Sequence, residues 1–251
     1  MSAEPYIRIE HLGKRYSLPA KKEKRVFEDI CLRIEPGEFV VMLGPSGCGK
    51  STFLRCLAGF EPYEGLIAVA GRAVLAPSPR RMMMFQETGQ LFPWKTALQN
   101  VTYPLRVNGW KKTEAEKSAA EQLARVGLAE YAGYYPHQLS GGMRQRVALA
   151  RILALKPELV LMDEPFASLD AITREDLQTE VLAMHQENRM NLMFVTHNIQ
   201  EAMRLGTRIL VMGRGGTIAH DENNPLVRPV SPGSPGYGKL WERLSRALQA
   251  G

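Results

Sequence analysis

The sequence predicts an α/β fold in which a mostly parallel sheet is flanked by helices. In its second half, short apolar runs such as ELVLMDEP, LMFVTH and RILVMG alternate with helical stretches, the βαβ order of a parallel sheet. Near the N-terminus apolar and polar residues alternate, which predicts a β-rich edge. The stretch 94–125 carries apolar residues at helical spacing. We therefore expect one core domain with an inserted helical lobe.

The first elements follow in the order strand, strand, buried strand and helix. YIRIEHLGKRY and VFEDICLRI alternate in character, as half-exposed strands do. Val40 to Leu43 is a continuous apolar run, the pattern of a strand buried on both faces. A helix should follow from Lys50 to about Ala58, because GFEPYEG then breaks it with Gly and Pro.

The middle of the chain is predicted to turn from strand to helix. LIAVAG and MMMFQ are interpreted as strands, the second ending at Gln86. The helical stretch after Trp94 should stop before Gly127. Another helix is expected from Met143 to Leu155. The stretch of about 87–142 is the candidate helical insert in a main domain of 1–220.

The last part, 221–251, is interpreted as a linker and a short helix. NNPLVRPVSPGSPGYG is rich in Pro, Gly and Ser, as linkers are. KLWERLSRAL then places Trp241, Leu244 and Leu248 on one helical face. We expect this apolar face to pack against its own domain.

Composition excludes several classes of protein. With 251 residues and 45% hydrophobic content, the chain can bury one substantial core. The net charge of +6 is a modest surplus, and the dense basic run KKEKR, from Lys21 to Arg25, fits a solvated loop. No apolar run approaches the roughly 20 residues of a membrane helix, and no signal segment opens the chain. Three cysteines without a CxxC pair fit reduced thiols, so we expect a cytosolic protein.

The stretch GPSGCGKST has the spacing of a phosphate-binding loop. Gly44 is followed at the required distance by Gly49, Lys50 and Ser51, between a strand and a helix. Glycines let backbone N–H groups and the helix N-terminus face phosphate oxygens. Lys50 is expected to reach the β- and γ-phosphates and Ser51 to bind Mg²⁺. The residues expected to bind nucleotide here are Gly44, Pro45, Ser46, Gly47, Cys48, Gly49, Lys50, Ser51 and Thr52.

A second chemical signal is the carboxylate pair of LVLMDEP. An apolar buried strand that ends in two acids is costly unless the acids handle a cation or a proton. Asp163 is placed to hold Mg²⁺ through its water shell, and Glu164 to polarise the attacking water. Together with the phosphate loop, the pair favours hydrolysis over simple binding of nucleotide.

The order of motifs resembles that of the ATP-binding-cassette ATPases. The phosphate loop is followed by an isolated Gln86, by LSGG from Ser140, by LMDEP, by SLD from Ser168 to Asp170 and by VTH ending at His197. The resemblance runs from about residue 7 to about residue 219. It implies a P-loop NTPase with a mostly parallel central sheet, an N-terminal antiparallel β subdomain and an inserted α-helical subdomain.

The resemblance also implies roles for single residues. Tyr16 matches the aromatic residue on which adenine stacks, and Gln86 matches the residue that touches Mg²⁺ and water. His197 matches the histidine bonded to the γ-phosphate, and Asp170 lies in a loop that crosses the dimer interface. The signature residues Ser140, Gly141 and Gly142 match those that close over the ATP of a second copy. The sequence departs from the usual family pattern at Met143, where Gln is commonest, and at Asn198, where Asp is usual.

The resemblance implies a subunit that hydrolyses ATP with Mg²⁺ as a head-to-tail homodimer. Because the chain lacks a membrane span, a separate permease should dock on it, and GQLFPWKT offers Leu91, Phe92, Pro93 and Trp94 for that contact. LFPW followed by ALQNV is similar to importer ATPases for nitrate, aliphatic sulfonates and taurine, which use a solute-binding protein. We expect a peripheral protein on the cytoplasmic face of the inner membrane.

Two other classes of protein stay open at this stage. One is a cytosolic ATPase of the same family that acts on nucleic acid or ribosomes, although no tandem cassette, coiled coil or zinc insertion is visible in the sequence. The other is a stand-alone P-loop kinase or GTPase. A kinase has no need of LSGG, and the Asn-Lys-x-Asp of a GTPase is missing from the sequence. No nucleic-acid partner is expected.

Overall fold

The computed structural model describes residues 4–19, 22–86, 90–167, 169–188 and 190–251. The chain divides into two compact units, Met1–Ser78 with Met190–Gly251, and Pro79–Arg189. The helices and strands of the described residues are, in chain order, β1 (Ile7–Leu18), β2 (Lys22–Ile34), β3 (Phe39–Leu43), α1 (Lys50–Ala58), β4 (Glu64–Val69), β5 (Arg72–Ala73), β6 (Arg81–Met84), α2 (Ala97–Val107), α3 (Lys112–Arg125), α4 (Gly141–Leu153), β7 (Leu159–Asp163), α5 (Ala171–Asn188), β8 (Asn191–Thr196), α6 (Ile199–Leu205), β9 (Arg208–Met212), β10 (Ile218–Asn223) and α7 (Tyr237–Ala250).

An antiparallel sheet forms the N-terminal part of the first unit. Its strand order is β2-β1-β4-β5, and each neighbouring pair is antiparallel. Ile7, Ile9 and Leu12 are buried, and the alternation seen in the sequence holds from Ile7 to Glu10, beyond which Leu12, Gly13 and Lys14 are all buried. Phe27 of β2 meets Phe53 of α1 edge to face, with ring centroids 6.2 Å apart. This sheet is the predicted N-terminal β subdomain.

The remaining strands of the first unit follow the order β10-β9-β3-β8. β3 is parallel to both β8 and β9, and β10 adds to β9 in the antiparallel sense. All five residues of β3 are buried, because α6 packs against it within this unit. The phosphate loop therefore begins at the carboxyl end of the most buried strand of the unit.

The second unit combines a parallel strand pair with helices. β6 and β7 pair in parallel, and α2, α3 and α4 pack against one another. The predicted helical stretch 94–125 is two helices, because a capping box at Thr96 starts α2 and the segment 108–111 separates it from α3. Residues 90–142 of the predicted insert lie in this unit.

Several predicted element bounds were wrong. β6 ends at Met84 and not at Gln86, and the signature helix α4 runs from Gly141 to Leu153, two residues earlier than expected. Ser140 caps α4 by accepting a bond from the backbone N–H of Met143, so the helix begins directly after the serine. β10 occupies 218–223, where no strand was expected.

The C-terminal helix packs within its own unit, as expected. α7 lies against β9, β10 and α6, and it buries Leu240 and Leu244 completely. Of the predicted face, Leu244 is buried, whereas Trp241 and Leu248 are only half-buried. Trp241 stacks on Tyr237, with ring centroids 6.2 Å apart. Among the described residues, the helices are all too short or too polar to cross a membrane.

Candidate nucleotide-binding and signature sites

The phosphate loop has the conformation that an anion site requires. Gly49 caps the N-terminus of α1 at φ 114°, a backbone region open to glycine, and its missing Cβ would lie 2.9 Å from a methyl carbon of Val26. The Lys50 ammonium donates to the backbone carbonyls of Gly44 and Pro45, each at 2.8 Å. The lysine is thus held over its own loop, where the helix N-terminus attracts negative charge.

The predicted adenine platform, Tyr16, is half-buried on β1 in the same unit. The Lys14 ammonium lies 4.6 Å from the centroid of its ring and also pairs with Glu61 at 2.9 Å. The ammonium is attracted by the ring quadrupole and occupies that face of the ring. We therefore expect an adenine to use the opposite face.

His197 follows β8 directly and is exposed. The next residue, Asn198, accepts bonds from the backbone N–H groups of Gln200 and Glu201, at 2.8 and 3.3 Å, and so caps α6. Asn and Asp are equally good at this position of a helix. The replacement of the usual Asp by Asn therefore preserves the local structure that positions His197.

In the second unit, the two acids of LMDEP have different environments. Asp163 is the last residue of β7 and only 3% exposed, whereas Glu164 is half-buried. Glu164 has φ 43°, in the left-handed region that non-glycine residues seldom occupy. Such conformations concentrate at functional sites, where the surrounding structure holds them. Asp163 offers the hard oxygen donors that Mg²⁺ prefers.

The signature forms the N-terminus of α4 in the second unit. Ser140 is exposed, and its hydroxyl accepts from the Met143 backbone N–H at 3.2 Å. A Cβ on Gly141 would meet nothing closer than 4.0 Å, but a Cβ on Gly142 would lie 2.4 Å from the Thr173 methyl carbon. Gly141 thus leaves the helix start accessible, whereas Gly142 has a packing reason to lack a side chain.

Asp170 lies at the start of α5, and its neighbour Ser168 lies outside the described residues. The Asp170 carboxylate accepts from the Thr173 backbone N–H at 3.0 Å. That bond and a further one from the Thr173 side chain lower the pKa of the Asp170 carboxyl. Asp170 is therefore an ionised helix cap, exposed to solvent in the single chain.

Gln86 is exposed beyond the end of β6, and residues 87–89 lie outside the described part of the chain. In the segment that follows, Leu91 is 5% exposed and Phe92 is half-buried, which corrects the prediction that both face solvent. Trp94 is 69% exposed. Phe92 packs against Tyr103 and Trp94, with ring centroids 4.9 and 5.6 Å away.

Three residues that the sequence did not single out hold the second unit's loops in place. Asn100 is fully buried, accepts from the Phe92 backbone N–H at 2.8 Å and donates to the carbonyl oxygens of Phe92, Lys95 and Thr96. From α4, Gln145 donates to the carbonyl oxygen of Pro165, directly after the two acids. Arg151 donates to the carbonyl oxygen of Gln90 at 2.6 Å, and burial lowers the pKa of its guanidinium.

The predicted site residues therefore fall into two groups. The first unit carries Tyr16 on β1, residues 44–52 of the phosphate loop and the start of α1, and His197 after β8. The second unit carries Gln86, the signature 140–142, the acids 163–164 and Asp170. Each group lies at strand ends or helix starts, where an α/β sheet places ligand-binding residues.

Residues 27–167 match the family model described as ABC transporter. The chain belongs to this family. It is 43% identical over 229 residues to the bicarbonate transport ATP-binding protein CmpD of Synechocystis sp., covering 89% of this chain and 80% of that protein. It is 42% identical over 254 residues to the taurine import ATP-binding protein TauB of Rhizobium johnstonii, covering 97% of each.

A solved structure gives the same result for the fold. The dimeric, post-hydrolysis ATP-binding cassette MJ0796 bound to ADP and Pi superposes with a TM-score of 0.76 at 31% identity, covering 86% of this chain and 98% of that one. The chain is thus an ABC ATPase with the P-loop fold, and it binds ATP and couples its hydrolysis to transport.

Proposed function

We propose that this ABC ATPase works as a head-to-tail homodimer that encloses two MgATP and drives a separate permease. The observation that carries the dimer is the exposed start of α4. Ser140 is exposed and Gly141 leaves open space, so the helix start is accessible to the phosphates of another molecule. The dimeric state of the similar cassette MJ0796 supports this assignment.

The donor set of the chain fits Mg²⁺, with Ser51, Asp163 and Gln86 as its ligands, directly or through water. All three offer oxygen atoms, and Asp163 is an acid buried to 3% exposure. When bound, Mg²⁺ neutralises charge on the β- and γ-phosphates. The burial of Asp163 is compatible with a cation at this strand end, since burial of a charge costs free energy that a bound cation offsets.

The remaining residues supply the hydrolysis itself. Lys50 binds the β- and γ-phosphate oxygens, and Glu164 orients the attacking water and accepts its proton. The water oxygen bonds to the γ-phosphorus as the bond to the β–γ bridging oxygen breaks, which yields ADP and phosphate. His197 donates a hydrogen bond to a γ-phosphate oxygen. Tyr16 stacks against adenine with the ring face opposite Lys14.

Mixing two inactive variants tests the head-to-tail arrangement. Lys50→Ala damages a chain's own phosphate loop, and Ser140→Arg damages only the site of its partner. In a heterodimer of the two variants, one site combines an intact loop with an intact signature and the other carries both defects. Half of randomly mixed dimers are heterodimers, so we expect recovery of up to roughly a quarter of wild-type ATPase activity.

The matched control combines Lys50→Ala and Ser140→Arg in one chain and mixes it with either single variant, which leaves every site damaged and should give no activity. If crosslinking shows that heterodimers form but the mixed single variants recover no activity, the shared site is contradicted.

A second measurement uses Glu164→Gln, which should bind ATP, hydrolyse it very slowly and elute as a dimer. A Glu164→Gln chain that stays monomeric with ATP also contradicts the proposal.

The permease is proposed to dock on the second unit beside Trp94. A pocket of about 350 Å³ there is lined by Trp94, Lys95, Leu98, Gln99, Thr102, Tyr103, Arg106, Lys112 and Glu116. An exposed aromatic residue beside a concave surface is typical of a binding site for a partner. Three of the lining residues are basic and one is acidic. This charge favours a permease segment that is apolar and carries acidic groups.

Helix α4 supports coupling between the two ends of this unit. Its Gln145 bonds to Pro165, next to the catalytic acid, and its Arg151 bonds to Gln90 and lies 5.7 Å from the Phe92 ring centroid. The same rigid helix begins with the signature serine. A displacement of the signature on ATP binding would therefore be transmitted to the proposed docking segment.

Trp94→Ala tests the docking surface. We expect it to abolish copurification with the permease while basal ATPase activity persists, because Trp94 is exposed and belongs to neither group of nucleotide residues. Trp110→Ala is the matched control, since Trp110 is 37% exposed and does not line the pocket. Equal copurification of the two variants contradicts the proposed surface.

For the solute, we propose a small anion such as nitrate, a sulfonate or taurine, delivered to the permease by a solute-binding protein. The similarity to ATPases named for bicarbonate and taurine transport supports this class. The chain would then act peripherally on the cytoplasmic face of the inner membrane. The test copurifies the native permease and measures ATPase stimulation by candidate solutes. Stimulation by DNA or RNA in place of the permease favours the nucleic-acid alternative.

A further inference from the structure

We propose that His11, Asp29 and Cys31 bind a late first-row divalent cation such as Zn²⁺. Their candidate ligand atoms all lie within 4.8 Å of one another, and all three residues are exposed. Across the described part of the chain, this is the one group of three His, Cys, Asp or Glu residues that meets such a criterion. None of the three belongs to the phosphate loop or to the proposed Mg²⁺ ligands.

Two opposed bulges in the β1–β2 pair create the cluster. Ile9 pairs with Leu32 and Leu12 pairs with Ile30, so Glu10 and His11 together face Cys31 alone. One step further, Lys14 pairs with Phe27, so Gly13 faces both Glu28 and Asp29. Between Ile9 and Lys14 each strand thus carries one extra residue, first at His11 and then at Asp29.

The second bulge cancels the register shift that the first introduces. The pairs Ile9–Leu32 and Lys14–Phe27 therefore share one register, and the pair Leu12–Ile30 between them is displaced by one residue. Both extra residues have left-handed backbone, with φ 50° at His11 and 57° at Asp29. Glycine is the usual residue for such a conformation. Here both positions instead carry side chains with metal-binding atoms, directed to one place.

The contacts within the cluster resemble those around metal ligands. His11 Nδ1 lies 2.6 Å from Asp29 Oδ1, and the His11 backbone N–H donates to Cys31 Sγ at 3.3 Å. Hydrogen bonds to the ligand sulfur are also a feature of blue-copper and iron–sulfur sites. An ion pair between His11 and Asp29 alone would be weak, because their side chains are 79% and 69% exposed. Such an ion pair also does not account for the hydrogen bond from the His11 backbone N–H to Cys31 Sγ.

The donor types select the metal. Thiolate and imidazole favour Zn²⁺ and its late first-row neighbours, whereas Mg²⁺ and Ca²⁺ prefer oxygen donors alone. Ligand distances of roughly 2.0–2.3 Å around Zn²⁺ bring donor atoms to about 3–4 Å from one another. The observed spread needs small side-chain rotations only, and exposed side chains allow them. Three protein ligands leave the fourth tetrahedral position to water or to a group from another molecule.

Cobalt spectroscopy on the full, untagged and nucleotide-free chain tests the site. After treatment with a chelator, Co²⁺ is titrated and then displaced with Zn²⁺. We expect one equivalent of Co²⁺ with a thiolate-to-cobalt charge-transfer band and tetrahedral ligand-field bands. Cys31→Ser should remove the charge-transfer band. His11→Asn and Asp29→Asn should weaken binding by at least the roughly 10–100-fold lost with an outer-shell partner.

Asn is the replacement of choice because it tolerates left-handed backbone, so the bulges persist in both variants. Cys56→Ala, His220→Asn and Asp163→Asn are matched controls that should retain the band and the affinity. Thermal unfolding of each variant confirms that the chain is folded. A Co²⁺ complex without a thiolate band, or an affinity that Cys31→Ser leaves unchanged, overturns the proposal.

Discussion

Replacement of Gly142 by alanine separates the packing role of the signature from its role towards ATP. The added Cβ would lie 2.4 Å from the Thr173 methyl carbon, so one of the two helices must shift or Thr173 must rotate. Rotation would break the side-chain bond from Thr173 that stabilises ionised Asp170. Overpacking of this kind costs about 1–3 kcal/mol, while Gly→Ala in a helix gains about 0.5–1 kcal/mol. We expect a net loss of up to about 2.5 kcal/mol in the free energy of unfolding.

Chemical denaturation of single and double variants measures this loss. Thr173→Ser removes the obstructing methyl and leaves Thr173 atoms no closer than 3.7 Å to the new Cβ, so the double variant should regain most of the stability. Gly141→Ala is the control, because its Cβ would meet only Arg144 at 4.0 Å, and it should not destabilise the chain. If Gly142→Ala proves as stable as Gly141→Ala, or if Thr173→Ser gives no rescue, the steric explanation is refuted.

Three further perturbations follow from buried groups. Asn100→Ala should lower the free energy of unfolding by about 2–4 kcal/mol, because it removes the amide that bonds the 92–96 backbone. In the same denaturation assay, the control Asn108→Ala, at an exposed site, should cost under about 1 kcal/mol. Lys14→Met should lower the free energy of unfolding by about 2 kcal/mol in the same assay, because it removes the cation that pairs with Glu61 and lies over the Tyr16 ring. A variant as stable as wild type would contradict this role of Lys14. Burial raises the pKa of the Cys56 thiol to about 12 from an ordinary value of 9.0, so the folded state keeps a proton that the unfolded state releases. The stability due to this thiol is present below about pH 9 and is lost as pH rises towards 12. The stability advantage of wild type over Cys56→Ala should therefore shrink by about 1 kcal/mol between about pH 8 and about pH 10.

The motif residues were predictable because their chemistry is local. Lys50, Glu164 and Ser140 each lie at a junction of strand and loop or loop and helix, and such junctions are marked by apolar runs, glycines and capping residues in the sequence itself. The α1 helix begins and ends where the pattern predicts, from Lys50 to Ala58. The role of each residue towards ATP came from the family resemblance and not from these patterns.

The contacts between distant residues were not predictable from the sequence. Burial of Leu91 and Asn100 depends on helices that pack around the proposed docking segment. Read alone, LFPW looks equally suited to solvent or to a core. The bonds from Gln145 to Pro165 and from Arg151 to Gln90 join residues far apart in the chain. A single sequence carries no signal for such pairs.

The sequence by itself determined the α/β class, the phosphate loop, the acidic strand end and the order of motifs, because periodicity and capping act within a few residues. Only the tertiary structure decided that Gly142 is needed for packing on Thr173, that Lys14 covers one face of Tyr16, and that His11, Asp29 and Cys31 converge. These features depend on register shifts and on close approach between separate elements. Hydrophobic patterning specifies which face of an element is buried, but it does not specify which side chain from another element will meet it.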